Sequence, residues 1–295
     1  MIVVVAGSSG LIGTALVARL TAEGHQVRRL VRRPARTPDE RTWDPDAGVL
    51  PPEALAGADA VVNLAGAGVG DKRLTADRKR VVLESRTRGT GLIASTLAGL
   101  DSPPRVLLQG SATGAYGDRG DDVVTEDEPY GDTFLAGVVR RWEAAAAPAV
   151  EHPDVRVAFL RTGIVLSARG GALGRLLPLV RLGLGGPLGS GRQYWSWITL
   201  EDEVRAVLHL LDAPVSGPVN LVAQPATQVE VVRALAARLH RPAVLPVPAW
   251  ALRVALGEFS QEILGSLRAV PDALTAAGFV HRHPTPEAAA AALLP

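Results

Sequence analysis

Residues 1–6 form an apolar run, Met-Ile-Val-Val-Val-Ala, that leads directly into a glycine-rich turn. A buried strand, a Gly-x-x-Gly-x-x-Gly turn and a helix-like segment, in this order, are typical of a dinucleotide site. The free N–H groups at the start of such a helix face the phosphates. We therefore expect a nucleotide cofactor to bind at the turn, which consists of Gly7, Ser8, Ser9, Gly10, Leu11, Ile12 and Gly13.

Strand-like and helix-like segments alternate through the first half of the chain. Strands are predicted over residues 1–6, 27–31, 60–64, 105–109 and 155–160, and helices over residues 14–20, 74–100 and 134–147. This alternation predicts an α/β fold, namely a doubly wound parallel sheet of Rossmann type with helices on both faces.

The pattern loosens after about residue 163, where glycine pairs interrupt the chain. We expect a Rossmann domain over residues 1–165 and a smaller, interleaved α/β cap lobe that binds substrate over residues 166–295. Within the cap, Thr199 and the capping box Thr227-x-x-Glu230 each predict the start of a helix. Residues 199–225 or thereabouts are expected to return to the Rossmann core.

The end of the second predicted strand indicates which nucleotide binds. An acidic residue there would favour the ribose hydroxyl of NAD, whereas an arginine favours the 2′-phosphate of NADP. The chain has Arg32 and Arg33 at this place and no acid. Guanidinium groups bind phosphate through two parallel hydrogen bonds, so the sequence favours NADP(H) with Arg32 and Arg33 as ligands. A solvated basic turn is the alternative interpretation.

Composition excludes several classes of protein. The formal net charge is +1 and no basic tail is present, so nucleic acid is not expected as a partner. Cysteine is absent, which excludes disulfides and thiolate metal sites. No apolar run reaches the length of a membrane span, and the sequence has no signal-peptide pattern. A cytoplasmic protein with a small-molecule substrate is expected, and its oligomeric state, a homodimer included, is left open.

Short motifs in order along nearly the whole chain resemble the extended or atypical branch of the short-chain dehydrogenase/reductase superfamily. More narrowly, they resemble the NAD-dependent epimerase-like family that includes proteins labelled as cell-division inhibitor homologues. The matching segments include the glycine turn, Asn63-Leu64-Ala65-Gly66-Ala67, Ser111-Ala112-Thr113-Gly114-Ala115-Tyr116-Gly117, Trp142-Glu143 and Arg161-Thr162-Gly163-Ile164-Val165-Leu166.

The resemblance implies that NADP(H) lies across the carboxyl ends of the strands, with a substrate pocket between sheet and cap. It implies further that Leu64, Ala65 and Gly66 run under the adenosine and phosphates, and that Ser111 approaches the nicotinamide. Arg161, Thr162 and Gly163 would lie where the chain crosses from the sheet into the cap. All seven of these residues are expected to contact the cofactor.

One feature of the superfamily is missing. Its enzymes usually carry Tyr-x-x-x-Lys, in which the lysine lowers the pKa of the tyrosine that serves as acid or base. The chain has only two lysines, Lys72 and Lys79, and none of its three tyrosines precedes a lysine by four residues. Counting back from Glu143 places Leu135 and Val139 where the pair should be.

Two residues are candidates for the missing chemistry. Tyr116 follows Ser111 by five residues, near the expected nicotinamide, and is the best replacement acid. A packed aromatic is its alternative role. Ser111 would orient a substrate carbonyl, or else would cap the loop after its strand. Both are predicted catalytic residues.

Other clusters have simpler interpretations. The acidic residues between positions 118 and 132 match no calcium-loop spacing, so a solvated loop without a metal is expected. Glu258, Ser260 and Gln261 are interpreted as helix-capping residues.

Three functions fit these observations. An NADP(H)-dependent oxidoreductase acting on a small carbonyl or sugar-related compound leads. An NADP(H)-binding regulatory or sensor protein without turnover is the first alternative. A nucleotide-sugar epimerase or dehydratase is the second alternative. It ranks below the other two, because epimerisation relies on the acid–base pair that is missing.

Overall fold

The computed structural model describes the backbone of all 295 residues and every side chain except that of Arg175. The strands are β1 (Ile2–Ala6), β2 (Gln26–Val31), β3 (Glu40–Thr42), β4 (Ala60–Asn63), β5 (Val106–Ala112), β6 (Val123–Val124), β7 (Arg156–Thr162), β8 (Ile164–Leu166), β9 (Tyr194–Trp195), β10 (Trp197–Thr199), β11 (Gly217–Leu221), β12 (Ala226–Thr227) and β13 (Arg268–Ala269). The helices are α1 (Leu11–Ala22), α2 (Ala76–Ala98), α3 (Phe134–Ala144), α4 (Ala147–Val150), α5 (Gly171–Arg181), α6 (Leu200–Asp212), α7 (Gln228–Arg238), α8 (Ala249–Leu256), α9 (Ser260–Leu264), α10 (Asp272–Ala276) and α11 (Pro286–Leu293).

Seven parallel strands form the central sheet, in the order β11-β7-β5-β4-β1-β2-β3. The chain builds outward from β1 through β2 to β3, and then crosses to the other side of β1 to build β4, β5, β7 and β11. The predicted doubly wound sheet is confirmed. The strand order reverses between β1 and β4, and in sheets of this kind ligands bind at the carboxyl ends of the strands on either side of that point.

Side-chain alternation along the strands gives each face of the sheet its own core. Val3 and Val5 on β1 pack with α1 and α6 on one face, and Val4 packs with α2 on the other. All three valines have no exposed surface. Because both faces are buried, the strands read as continuous apolar runs rather than as alternating ones.

The second half of the chain is divided between the sheet and a separate cap. Thr199 caps α6, which packs on α1, and β11 extends the sheet beside β7. Helices α5, α7 and α11 form a third apolar cluster outside the sheet, around Trp195 and Trp197. Thr227 and Glu230 form the predicted capping box at the start of α7. Among the helices that the structure describes, none is long and apolar enough to cross a bilayer.

Some elements were not predicted from the sequence. Strand β3 contains only Glu40, Arg41 and Thr42, and it forms because Val31 and its neighbours on β2 provide an edge for pairing. The predicted strand over residues 155–160 extends to Thr162, and β8 begins after Gly163. A short charged strand lacks the apolar alternation that a sequence pattern needs.

Candidate functional site

The glycine turn lies at the point where the strand order reverses. Gly7 has a positive φ of 76°, and a Cβ there would lie 2.6 Å from the carbonyl carbon and oxygen of Leu64, the residue after β4. A Cβ on Gly13 would lie 2.2 Å from the carbonyl oxygen of Gly7. Both positions therefore require glycine, because the turn packs directly against β4 and the start of α1.

The turn leaves donors free at the start of α1. Gly10 precedes the helix and has no side chain with which to cap it. The first helix-closing bond runs from the N–H of Thr14 to Gly10, so the N–H groups of Leu11, Ile12 and Gly13 have no partner within the helix. Such a terminus is suited to a phosphate group.

A cavity of about 350 Å³ lies over this turn, and we call it the glycine cleft. Its walls are formed by the turn, Leu64, the start of β8 and the start of α5. The predicted ligands Ser8 and Ser9 lie in the turn itself. Ala65 and Gly66 continue from Leu64, with Gly66 against the Arg86 side chain. The narrow apolar walls and free amides fit a dinucleotide, whose pyrophosphate would be held by the start of α1.

The two arginines that follow β2 differ in their contacts. Both terminal nitrogens of Arg33 donate to the carboxylate of Glu40 at 2.7 Å. Hydrogen bonds from Arg33 lower the pKa of Glu40 to about 2. Arg32 is exposed beyond the end of the strand. Of the two predicted phosphate ligands, Arg32 has its guanidinium free to approach a ligand, whereas Arg33 is held by Glu40.

A larger cavity of about 590 Å³ adjoins the cleft, and we call it the inner cavity. It is bounded by the end of β5, by α3, by residues 162–164 where the chain crosses into the cap, and by the segment from α8 to α9. The two cavities share Ile164 and Ala172 in their walls. Apolar groups make up most of the inner wall.

Ser111 and Tyr116 lie beneath this cavity rather than in its wall. The hydroxyl of Ser111 donates to Glu143 at 2.5 Å, and the side chain of Tyr116 is 1% exposed. The Tyr116 hydroxyl donates to Asn220 at 2.7 Å and accepts from Arg161 at 2.9 Å. Burial raises the pKa of Tyr116. The geometry therefore favours a packed, hydrogen-bonded role for Tyr116 over proton donation to a ligand.

The three residues predicted at the crossing into the cap also fall into two groups, one buried beneath the cavity and one in its wall. Arg161 is 4% exposed and joins the buried network, whereas Thr162 and Gly163 line the inner cavity. The Thr162 hydroxyl donates to Glu203 on α6 at 2.8 Å. A Cβ on Gly163 would lie 2.4 Å from the carbonyl oxygen of Ser196, so only glycine lets the crossing segment pass the backbone between β9 and β10.

The positions of the missing acid–base pair face the inner cavity. Leu135 and Val139 both lie in its wall, one helical turn apart on α3. Lys79 is held elsewhere, with its Nζ 2.5 Å from Glu258 and 4.9 Å from the ring centre of Phe134. The cavity thus contains apolar side chains at the place where a tyrosine and a lysine are usual.

Arg86 and Glu262 are two of the four charged residues in the cavity wall, none of which was predicted as a site residue. Arg86 on α2 lies with its guanidinium 4.9 Å from the Trp142 ring centre and donates to the carbonyl of Ala67. Burial, together with Arg78, lowers the pKa of Arg86 to about 10. Among the side chains that the structure describes, no carboxylate lies within ion-pair distance of it. In the sequence, Arg86 stands shortly before Gly89-Thr90, where many proteins of the family that the chain resembles have asparagine.

The second residue is Glu262 on α9. Its carboxyl lines the inner cavity, and burial raises its pKa to about 7. No sequence pattern indicated it, since its neighbours Glu258, Ser260 and Gln261 were interpreted as helix-capping residues. Ser260 instead donates its hydroxyl to the carbonyl of Gly257.

The acidic loop after Tyr116 packs against the end of α9. Across the described side chains, no group of three or more carboxylates and histidines converges as metal ligands would. Asp118 instead accepts from the backbone N–H groups of Gly120 and Ser266, which holds the loop against the end of α9.

The model of the NAD dependent epimerase/dehydratase family matches residues 3–223. The chain belongs to this family. Residues 247–293, which include α8 and α9, match a domain of unknown function, DUF1731. The segment from α8 to α9, which forms part of the wall of the inner cavity, therefore lies outside the region that the epimerase/dehydratase family model matches.

Relatives cover the whole chain. An epimerase family protein of Mycobacterium bovis is 44% identical over 96% of this chain and 94% of its own length. The crystal structure of human epimerase family protein SDR39U1 with NADPH matches with a TM-score of 0.90 and 34% identity, over 99% of both chains. A Corynebacterium glutamicum structure described as a nucleoside-diphosphate sugar epimerase matches with a TM-score of 0.81 and 36% identity, over 100% of this chain and 58% of that one.

Proposed function

We propose that this family member is an NADP(H)-dependent oxidoreductase that acts on a small carbonyl compound with a largely apolar body. The observation that carries the proposal is that the glycine cleft and the inner cavity meet at Ile164 and Ala172. A dinucleotide held at the turn would thus reach the inner cavity with its nicotinamide end. Reduced nicotinamide nucleotide, when bound, supplies a hydride.

The preference for NADP(H) rests on Arg32. The exposed Arg32 follows the end of β2, where an arginine favours the 2′-phosphate of NADP, and the nearby carboxylate of Glu40 is paired with Arg33. The human relative whose structure contains NADPH supports the same choice. Arg33 contributes indirectly, since its bonds to Glu40 order the turn between β2 and β3.

The lining of the inner cavity supports a small carbonyl substrate. Leu135, Val139 and Trp142 form one wall from α3. Charged wall groups include Arg86, which would stabilise negative charge developing on a substrate oxygen. Ligand sites of this size are usually apolar with a few polar groups that fix orientation.

A nucleotide-sugar epimerase is the second candidate, favoured by the description of the Corynebacterium glutamicum structure. Epimerisation through a keto intermediate requires an acid and a base that work in both directions. Leu135 and Val139 stand where the usual pair would act, so that pair is not present to carry out epimerisation.

Binding and turnover test the proposal separately. We expect NADPH to bind more tightly than NADH in a fluorescence titration, and NADPH to be consumed with at least one member of a panel of aldehydes, ketones and quinones. Tighter binding of NADH would contradict the cofactor assignment. Tight NADPH binding without consumption across the panel would favour the sensor alternative, and epimerisation of a UDP-sugar without net NADPH consumption would favour the epimerase.

A further inference from the structure

Glu262 stands close to the place left by the missing tyrosine. A Cβ built on Gly114, at the end of β5, would lie 3.6 Å from Oε2 of Glu262 and 3.8 Å from Cβ of Leu135. The carboxyl on α9 and the Leu135 side chain on α3 therefore both lie beside Gly114. Leu135 occupies the position at which related enzymes carry their tyrosine, so a carboxyl lies near the place of the missing phenol.

The surroundings of Glu262 isolate it from counter-charges. No hydrogen bond or ion pair joins its carboxyl to any side chain that the structure describes. Ile263 and Leu264 follow it on α9, and both line the cavity as well. The carboxyl is thus partly buried at the cavity wall, without a neutralising partner among the described side chains.

Among the described side chains, four other charged or titratable groups line the inner cavity with Glu262, while Glu258, four residues before it, is outside the wall and paired with Lys79. The four groups are Asp118 in the loop that packs against the end of α9, Arg253 on α8, Tyr194 on β9, and Arg86 across the cavity on α2. None of them contributes to the shift of the Glu262 pKa, whose cause is burial alone. A pKa of about 7 keeps a carboxyl able both to donate and to accept a proton near neutral pH.

We propose that Glu262 is the catalytic acid of this family member, donating the proton to the substrate carbonyl oxygen in place of the missing tyrosine. This inference rests on the proposed function. The carbonyl carbon accepts the hydride of reduced nicotinamide nucleotide, and the C=O π electrons move to oxygen. That oxygen takes the Glu262 proton, giving an alcohol, an oxidised nicotinamide and a carboxylate. Solvent returns a proton to the carboxylate, and in the reverse reaction the carboxylate accepts the alcohol proton.

The first test measures the carboxyl without turnover. Protein labelled with ¹³C at the glutamate carboxyls is titrated by NMR, and the Glu262 resonance is assigned by its loss in Glu262→Gln. Glu262→Asp provides the same assignment if the glutamine variant does not fold. We expect a midpoint of about 7. A midpoint below about 5, in the ordinary range of glutamate, would overturn the proposal.

The second test measures catalysis with a carbonyl compound that the wild-type protein reduces. We expect Glu262→Gln to lower kcat by about 100-fold or more, with NADPH affinity changed less than about twofold. The wild-type rate of reduction should fall as pH rises through about 7, and the variant should lose this dependence. Glu258→Gln is the matched control, because Glu258 is exposed, paired with Lys79 and outside the cavity wall.

The outcomes separate the two proposals. Full turnover in Glu262→Gln, with an active wild-type protein, overturns the role of Glu262 and leaves the oxidoreductase proposal intact. Absence of turnover in the wild-type protein itself overturns the oxidoreductase proposal, and the catalytic role of Glu262 with it. In that case the NMR midpoint still reports whether the carboxyl has the predicted environment.

Discussion

Arg161 and Glu143 form a two-bonded ion pair beneath the inner cavity, with Nε and Nη2 of Arg161 each 3.0 Å from an oxygen of Glu143. Both side chains are 5% exposed. The hydroxyls of Ser111 and Tyr130 donate to the same carboxylate. The hydrogen bonds around this pair therefore connect β5, α3 and β7 beneath the inner cavity.

Glu143→Ala should lower the free energy of unfolding by about 3–5 kcal/mol, because it leaves the buried guanidinium of Arg161 without a counter-charge. Urea denaturation followed by circular dichroism measures the change. Glu151→Ala, at an exposed position after α4, is the control and should change the free energy by less than about 0.5 kcal/mol. A loss below about 1 kcal/mol in Glu143→Ala would show that water or another group replaces the carboxylate.

Tyr116→Phe should retain turnover within about threefold, because the hydroxyl bonds Asn220 and Arg161 beneath the cavity and does not line it. The free energy of unfolding should fall by about 1–3 kcal/mol, since both partners lose a buried hydrogen bond. Steady-state kinetics and urea denaturation measure the two effects. A loss of kcat of about 100-fold at unchanged stability would restore Tyr116 as the acid.

Local patterns in the sequence predicted the parts of this fold that depend on neighbours along the chain. The strand, turn and helix at residues 1–22 and the caps at Thr199 and Thr227 formed as expected, because each is set by residues a few positions apart. The strand β3 was missed, because its pairing with β2 comes from tertiary contact rather than from its own composition.

The candidate site could be predicted only where it is local. The glycine turn lies at the expected edge of the sheet, whereas Tyr116 is bound by Asn220, which is 104 residues away along the chain. Likewise, Glu262 reaches the end of β5 from a helix that no periodicity relates to the Rossmann motif. Which polar groups face a cavity and which lie beneath it depends on such distant contacts, and the sequence carried no signal for them.

Gly13→Ala should abolish NADPH binding and lower stability, because its Cβ would lie 2.2 Å from the carbonyl oxygen of Gly7 and force the turn apart. The rearranged turn could no longer present the amides of α1. Fluorescence titration with NADPH and thermal unfolding measure the two effects. Gly137→Ala on α3 is the control, since a Cβ there meets no atom within 4 Å. That control should be neutral or stabilising by up to about 1 kcal/mol. Unchanged NADPH affinity in Gly13→Ala would place the cofactor elsewhere.

Arg32→Ala should weaken NADPH binding by about 10- to 100-fold and leave NADH binding unchanged, because only NADPH carries the 2′-phosphate that a guanidinium would bind. Isothermal titration with both nucleotides measures the difference. Arg33→Ala is the informative comparison. It should lower stability by releasing Glu40, with a smaller effect on the preference between nucleotides. Equal losses for NADH and NADPH in Arg32→Ala would contradict the phosphate role.

Glu203 on α6 is buried behind the wall of the inner cavity. One carboxyl oxygen accepts from Thr162 at 2.8 Å, and the other has no hydrogen-bond partner among the described residues. Burial raises its pKa from 4.5 to about 8. The folded state therefore holds the neutral acid at neutral pH, in contact with a residue that lines the cavity.

The Glu203 carboxyl should make the free energy of unfolding decrease as pH rises. Below about pH 4.5 both folded and unfolded chains bind the proton, whereas between 4.5 and 8 only the folded chain keeps it. The free energy of unfolding relative to Glu203→Gln should therefore decrease by up to about 1.4 kcal/mol per pH unit over this window and level off above it. Urea denaturation at pH 5, 6, 7 and 8 measures the difference, with Glu201→Gln as the exposed control on α6. A difference that stays constant across this range would mean that Glu203 titrates alike in both states, with water reaching its carboxyl.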